Sequence, residues 1–210
     1  WEGEDTKFNT EVRIRNIKGN YRWYRIVGIL ERNEFGANES FVGKIVNVDE
    51  ELSEEKELVQ RAENDMLTGV LNKKTMEKRV SLMLKNRGDK YVIFYMVDLD
   101  NFKNVNDTLG HIYGDQAIVE TAQCLNKVFA NQDCIGRLGG DEFAVIMSGT
   151  PAESAITAML RVHEGLNTLR LPNTPQVTLR ISVGVAPLNP QMSHYREWLK
   201  SADLALYKAK

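Results

Sequence analysis

A chain of 210 residues, 42% hydrophobic and 27% charged, has the composition of a folded globular protein with room for one full domain and a smaller appendage, and is neither fibrous nor disordered. Its formal charge of -2 provides no basic footprint for duplex phosphates, which argues against nucleic acid as a partner and leaves room only for a small anionic ligand. The longest apolar and aromatic run, Tyr91 to Val97, is far short of the roughly 20 residues that a membrane-spanning helix needs.

The opening segment Trp1 to Asp5 is acidic where a targeting segment would be basic, so the expected location is cytoplasmic, as the cytosolic part of a longer chain. Residues 11–15, 21–30 and 40–48 alternate apolar with polar side chains, and turn residues fall at Lys18-Gly19-Asn20 and between Asn33 and Asn38. Residues 1–48 therefore read as a three-stranded antiparallel meander with too few apolar residues for a core of its own. Residues 49–65 are strong helix formers, a connector helix. Leu52, Val59 and Met66 fall seven apart with Ala62 in the intervening seam, which fits a short parallel coiled coil as well as an exposed linker.

Residues 66–210 alternate helices and strands. Met76, Val80, Met83 and Leu84 mark a helix over 72–86, and Tyr91 to Val97 is a buried strand between Gly88-Asp89 and Asp98. Ile118, Ala122, Leu125 and Phe129 stripe a helix over 114–130. Strands over 134–138 and 142–147 flank Gly139-Gly140, a two-residue hairpin signal. Ala155, Met159, Val162, Leu166 and Leu169 stripe another helix, Val177 to Val185 form a strand, and a last helix begins at Trp198. The expected class is α/β with a mixed sheet, because the hairpin forces an antiparallel pair. Cys124 and Cys134 sit in apolar surroundings and read as reduced core thiols, Trp23 and Trp198 read as packing residues, and the scattered His111, His163 and His194 receive no role.

The chemistry gathers at two acidic segments. Asp98 and Asp100 close the strand and Asp141-Glu142 close the hairpin, hard oxygen ligands that suit magnesium rather than zinc. The plainer readings are a helix N-cap for Asp100 and a polar turn for Asp141-Glu142. A helix beginning over Asp100 to Lys103 offers backbone N–H groups to phosphate, with Lys103 adding a mobile positive charge. Asn106 and Asp115 stand around Gly110 and Gly114, and a carboxylate there can accept the two N–H donors of guanine's N1 and N2 edge.

Gly139 to Phe143 spell GGDEF, and the surrounding sequence resembles the GGDEF-domain diguanylate cyclases well beyond those five letters. The run Asp65 to Asn72 is similar to the family's opening D-x-L-T-G-L-x-N. Asp98 to His111 with Gly114-Asp115 resembles its metal, phosphate and guanine segment. Ile181 to Ala186 and Ala202 to Lys210 resemble its closing strand and helix. The resemblance implies that Asp98 and Asp141 coordinate magnesium, or manganese in its place, with the Leu99 carbonyl, and that Glu142 is a second acid of the metal site. Asn106 and Asp115 would read guanine, Phe102 and Lys103 would hold the β and γ phosphates, and Lys210 matches a second phosphate lysine. It further implies condensation of two GTP molecules into cyclic di-GMP and two pyrophosphates by a two-fold homodimer. The rival is a catalytically silent GGDEF module that binds GTP or a partner as a regulator. Residues 1–48 resemble the last three strands of a PAS domain. The family's product brake resembles R-x-x-D placed five residues before the signature. Here Ala130-Asn131-Gln132-Asp133 lacks the arginine, which implies weak product inhibition with Arg137 and Arg161 as partial contacts.

Overall fold

The amino-terminal alternation folds into β1 (Thr6–Arg15), β2 (Tyr21–Arg32) and β3 (Asn38–Asn47), paired antiparallel in the order β1-β2-β3. The computed structural model describes residues 6–33, 35–86, 91–129, 134–149, 152–168, 178–189, 192 and 194–210. The chain divides into two compact units, Trp1–Gln60 and Arg61–Lys210. In the first, Val48 is the one buried residue among those described, so the meander does lack a core of its own. Helix α1 (Asp49–Glu63) is tied to the meander at its first turn. The Trp23 N–H donates to the Asp49 carboxylate, and Arg25 forks between Glu11 and Glu51 at 2.9 and 3.0 Å. The helix stops at Glu63, so Met66, the third member of the heptad pattern, lies outside it and is exposed.

The second unit is built on a five-stranded sheet in the order β4-β6-β7-β5-β8, with β4 (Leu71–Asn72) parallel to β6 and the other pairs antiparallel. The mixed sheet expected from the sequence is therefore present. At its centre β5 (Val92–Leu99) is buried at every position, as a strand covered on both faces must be. Its pleat divides the core in two. Tyr95, Val97 and Leu99 pack with Ala117, Ile118 and Leu125 of α4 (His111–Val128) and Val162 and Leu166 of α5 (Ala152–Thr168). Phe94 and Met96 pack with Met76 and Val80 of α2 (Lys73–Lys85) and Trp198 and Leu206 of α6 (Tyr195–Ala209). Trp198 is wholly buried, tilts 5.3 Å from Phe94, and donates its indole N–H to the Ala186 carbonyl at 2.8 Å. Burying such a side chain is worth roughly 2 to 3 kcal/mol, and the hydrogen bond removes the cost of hiding its polar end.

Several bounds differ from the sequence expectation. Strand β5 runs two residues past Val97, because Asp98 keeps partners in both β7 (Glu142–Ser148) and β8 (Ile181–Pro187) and Leu99 keeps one in β8. Helix α4 begins at His111 rather than at residue 114, and a separate α3 (Phe102–Leu109) precedes it. Helix α6 starts at Tyr195, ahead of Trp198. The hairpin joins β6 (Cys134–Gly139) to β7 through Gly140-Asp141, since Gly139 is still paired with Glu142. Gly88, Asp89, Ala130 to Asp133, Leu169 and Val177 lie outside the described residues. No described helix is long and apolar enough to cross a membrane.

Candidate active site

The end of β5 is where the acids meet. Asp98 is directly opposite Glu142 in β7 and Ser182 in β8, and cross-strand partners share a face, so all three lie on the α2 and α6 side of the sheet. The turn brings Asp141 to the same edge, with the Leu99 N–H 3.4 Å from the Asp141 carbonyl. Gly140 makes that turn at φ 50°, a left-handed conformation that glycine adopts without steric cost. Asp98 is only 7% exposed. Burial first, then the charges of Asp141 and Asp100, raise its pKa, while Lys210 opposes the shift. Glu142 is raised by burial and then by Asp98, Asp141 and Asp203, with Lys73 opposing.

Lys210 Nζ stands 2.6 Å from Asp98 Oδ1. The contact favours the charged forms of both groups, and Oδ1 is a buried acceptor with no other donor among the described residues. A buried carboxylate oxygen left in this state, surrounded by like charges, suits a hard cation. No three carboxylate, imidazole or thiol side chains converge to metal-binding distance among the described residues. The acids that gather at this edge are Asp98, Asp141 and Glu142, each within coulombic reach of the others.

Asp100 is not the helix cap that the plainer reading offered. Its carboxylate accepts the Ser182 hydroxyl at 2.7 Å and its N–H donates to the Arg180 carbonyl. The N-cap of α3 is Asn101, held at φ 56° with no side-chain cap bond. A non-glycine residue in this conformation is uncommon, though asparagine tolerates it better than most, and such strain gathers at working sites. It turns the chain sharply out of β5, so the first turn of α3, with Phe102 half-buried and Lys103 exposed, starts beside the acids.

The two purine candidates sit on the α3 and α4 pair. Gly110 both ends α3 and begins α4. A Cβ on Gly114 would overlap the Asn106 side-chain oxygen, so glycine here gives the Asn106 side chain the room it occupies between the helices. Asn106 is half-buried there and Asp115, the next residue after Gly114, is exposed.

Arg137, offered by the sequence only as a partial product contact, ties the signature turn to Asp65. Its Nε and Nη2 both donate to the Gly140 carbonyl, at 3.0 and 2.7 Å, and Nη1 reaches Asp65 at 3.1 Å. The guanidinium thus links the Gly140 carbonyl to the Asp65 carboxylate. Asp65 also accepts the Thr68 N–H and hydroxyl. Burial works against its ionisation, but Thr68 and Arg137 outweigh burial and lower its pKa. The clue in the sequence was an arginine two residues before the glycine pair together with an Asp-x-x-Thr turn, which only the fold unites.

Residues 62–210 match the family described as diguanylate cyclase, GGDEF domain. The chain is 64% identical over 162 residues to a protein of Escherichia coli K12 named probable diguanylate cyclase DgcC, covering 76% of this chain and 44% of that protein. It is 33% identical over 190 residues to the cyclic di-GMP phosphodiesterase PdeR of the same strain, covering 86% of this chain and 28% of that protein. The chain thus spans less than half the length of these curated relatives. Among solved structures, the coiled coil and GGDEF domain of Caulobacter crescentus DgcB in complex with c-di-GMP aligns with TM-score 0.69 at 28% identity, over 75% of this chain and 86% of that one. Pseudomonas aeruginosa SiaD, solved with its activator SiaC, aligns with TM-score 0.66 at 30% identity, over 76% of this chain and 63% of that one. With residues 62–210 matching the family and the fold aligning with these structures, the chain belongs to the diguanylate cyclase GGDEF-domain family.

Proposed function

We propose that the chain condenses two GTP molecules into cyclic di-GMP with release of two pyrophosphates. The observation that carries this reading is the meeting of Asp98 and the Asp141 turn at the end of β5, beside the uncapped first turn of α3. Asn106 and Asp115 hold guanine, the carboxylate accepting from its N1 and N2 donors. The backbone at Phe102 and the Lys103 and Lys210 ammonium groups hold the β and γ phosphates. Asp98, Asp141 and the Leu99 carbonyl hold magnesium, or manganese in its place, with Glu142 adding negative charge beside them. The bound cation supplies positive charge that offsets the charge developing on the phosphates. Together these residues place the α phosphate at the open edge of the sheet. There it is attacked by the 3′ hydroxyl of a second GTP as its bond to pyrophosphate breaks. One domain holds one GTP, so forming both bonds requires a second copy facing the first about a two-fold axis. Residues 1–48, PAS-like in pattern, would pass an input to the cyclase through α1.

The test is incubation with GTP and magnesium followed by mass spectrometry of the nucleotides. Cyclic di-GMP is expected from the native protein, and none from Asp141→Ala, whose half-buried turn carboxylate lies outside the hydrophobic core clusters. Full activity in that variant would remove Asp141 from the metal site. No product from the native protein would leave the silent regulatory module.

A further inference from the structure

We propose that Lys210 is an internal counter-ion that occupies Asp98 until nucleotide arrives, so that the divalent cation and the triphosphate load together rather than independently. This inference rests on the assignment of Asp98 to the cation site. The two members of the ion pair are unequal: the Asp98 side chain is 10% exposed and the Lys210 side chain 47% exposed. The carboxylate is fixed in β5, whereas the lysine reaches it from the last turn of α6, where its N–H donates to the Leu206 carbonyl. Leu206 and Trp198 anchor that helix in the core, so the backbone of Lys210 stays at the site while its long side chain can swing.

An ammonium 2.6 Å from Asp98 Oδ1 and a magnesium ion about 2.1 Å from the same oxygen would repel each other strongly in a place with little water. One must leave when the other enters. Without nucleotide, the displaced ammonium trades a buried carboxylate for solvent, and this trade weakens cation binding. With a triphosphate present it gains a new anion, and the penalty disappears. By linkage, the triphosphate then tightens cation binding and the cation tightens triphosphate binding by the same factor.

The measurement is Mn2+ binding to the nucleotide-free protein, followed by electron paramagnetic resonance of the free aqua ion, for the native protein and for Asp98→Asn, Lys210→Met and Lys210→Arg. Circular dichroism verifies that each is folded. Lys210→Met is expected to bind Mn2+ about fivefold more tightly than the native protein, the scale of a half-exposed ion pair. Lys210→Arg, which keeps the charge, should stay near the native value, and Asp98→Asn should lose the site. Adding a GTP analogue with an uncleavable α,β-methylene bridge should tighten Mn2+ binding in the native protein and do so less in Lys210→Met. Equal or weaker Mn2+ binding by nucleotide-free Lys210→Met, with Asp98→Asn defective, would overturn the counter-ion role and leave the cation site standing. Native-like binding by Asp98→Asn would overturn both.

Discussion

Asp98 and Glu142 carry an electrostatic cost that the fold accepts in the absence of a bound cation. For Glu142 the folded pKa lies above its ordinary 4.5, mainly through burial. The folded state therefore holds more protons than the unfolded chain as pH rises past 4.5, and stability falls across that window and stays lowered at pH 7. Glu142→Gln removes the penalty. In EDTA at pH 7 its Tm should exceed the native value by roughly 1 to 3 °C, a figure already reduced for the solvent screening of a half-exposed group. At pH 4 the difference should vanish, and an unchanged Tm at pH 7 would mean that the acids do not strain one another. Asp65 has the opposite sign: its folded pKa lies below 3.8, so its stabilisation is present above that value and is lost only in stronger acid. In the proposed reaction Asp115 holds the base rather than the phosphates. Asp115→Ser removes a charge-assisted pair worth about 2 to 3 kcal/mol, which should cut discrimination between GTP and ATP roughly 30-fold to 150-fold. Competition binding checks it, and native selectivity in the variant would place guanine recognition elsewhere.

Among the elements, the β6–β7 hairpin has its turn tied by a side chain of its own first strand, which is anchored on a residue outside the hairpin. Arg137 reads the Gly140 carbonyl with two donors and anchors on Asp65, immediately beyond the residue that follows α1. The peptide it grips is the one that leads into Asp141, so in the proposed mechanism Arg137 is a positioning residue for the cation site. Arg137→Met should lower kcat about tenfold or more with a smaller change in KM for GTP, since positioning errors of an ångström or less have such effects. It should also cost about 1 to 3 kcal/mol of stability, because Asp65 is left half-buried without its partner. Arg137→Lys keeps the charge but not the fork, and should fall between the two. Steady-state kinetics beside thermal denaturation separates the claims: lost stability with native kcat would leave Arg137 a structural residue only. The connector helix itself depends on its neighbours. Its apolar positions Leu58 and Val59 are exposed, and no residue of the helix is buried.

For the molecule as a whole, the proposed reaction is second order in domains. Each active half holds one GTP, so the rate per protein molecule should fall on dilution once two copies no longer meet. Initial rates over a hundredfold range of protein concentration at saturating GTP test this. A rate per molecule that stays constant while light scattering reports monomer would exclude the two-fold arrangement.

Much of this protein was written into local pattern. The meander, the connector, the buried strand before Asp98 and the helix stripes all follow from periods of two and 3.6, which depend on neighbours in the chain. The identities of Asp98, Lys103, Asn106, Asp115, Asp141 and Glu142 as a group likewise came from the order of motifs along the sequence. What local pattern does not contain is contact across long separations. The two-residue β4 is too short to show a period and exists only because β6 is beside it. Asp98 and Leu99 remain strand because partners from residues 141–148 and 181–187 flank them, against the usual preference of aspartate for a strand end. Asn101 takes the cap position from Asp100 because Ser182 and Arg180, eighty residues away, claim Asp100 first. Arg137 and Asp65 are 72 positions apart, and Lys210 meets Asp98 only after α6 has packed on the sheet. Composition and periodicity report where a residue lies between water and core, whereas the partner of a charge is chosen by the whole tertiary arrangement.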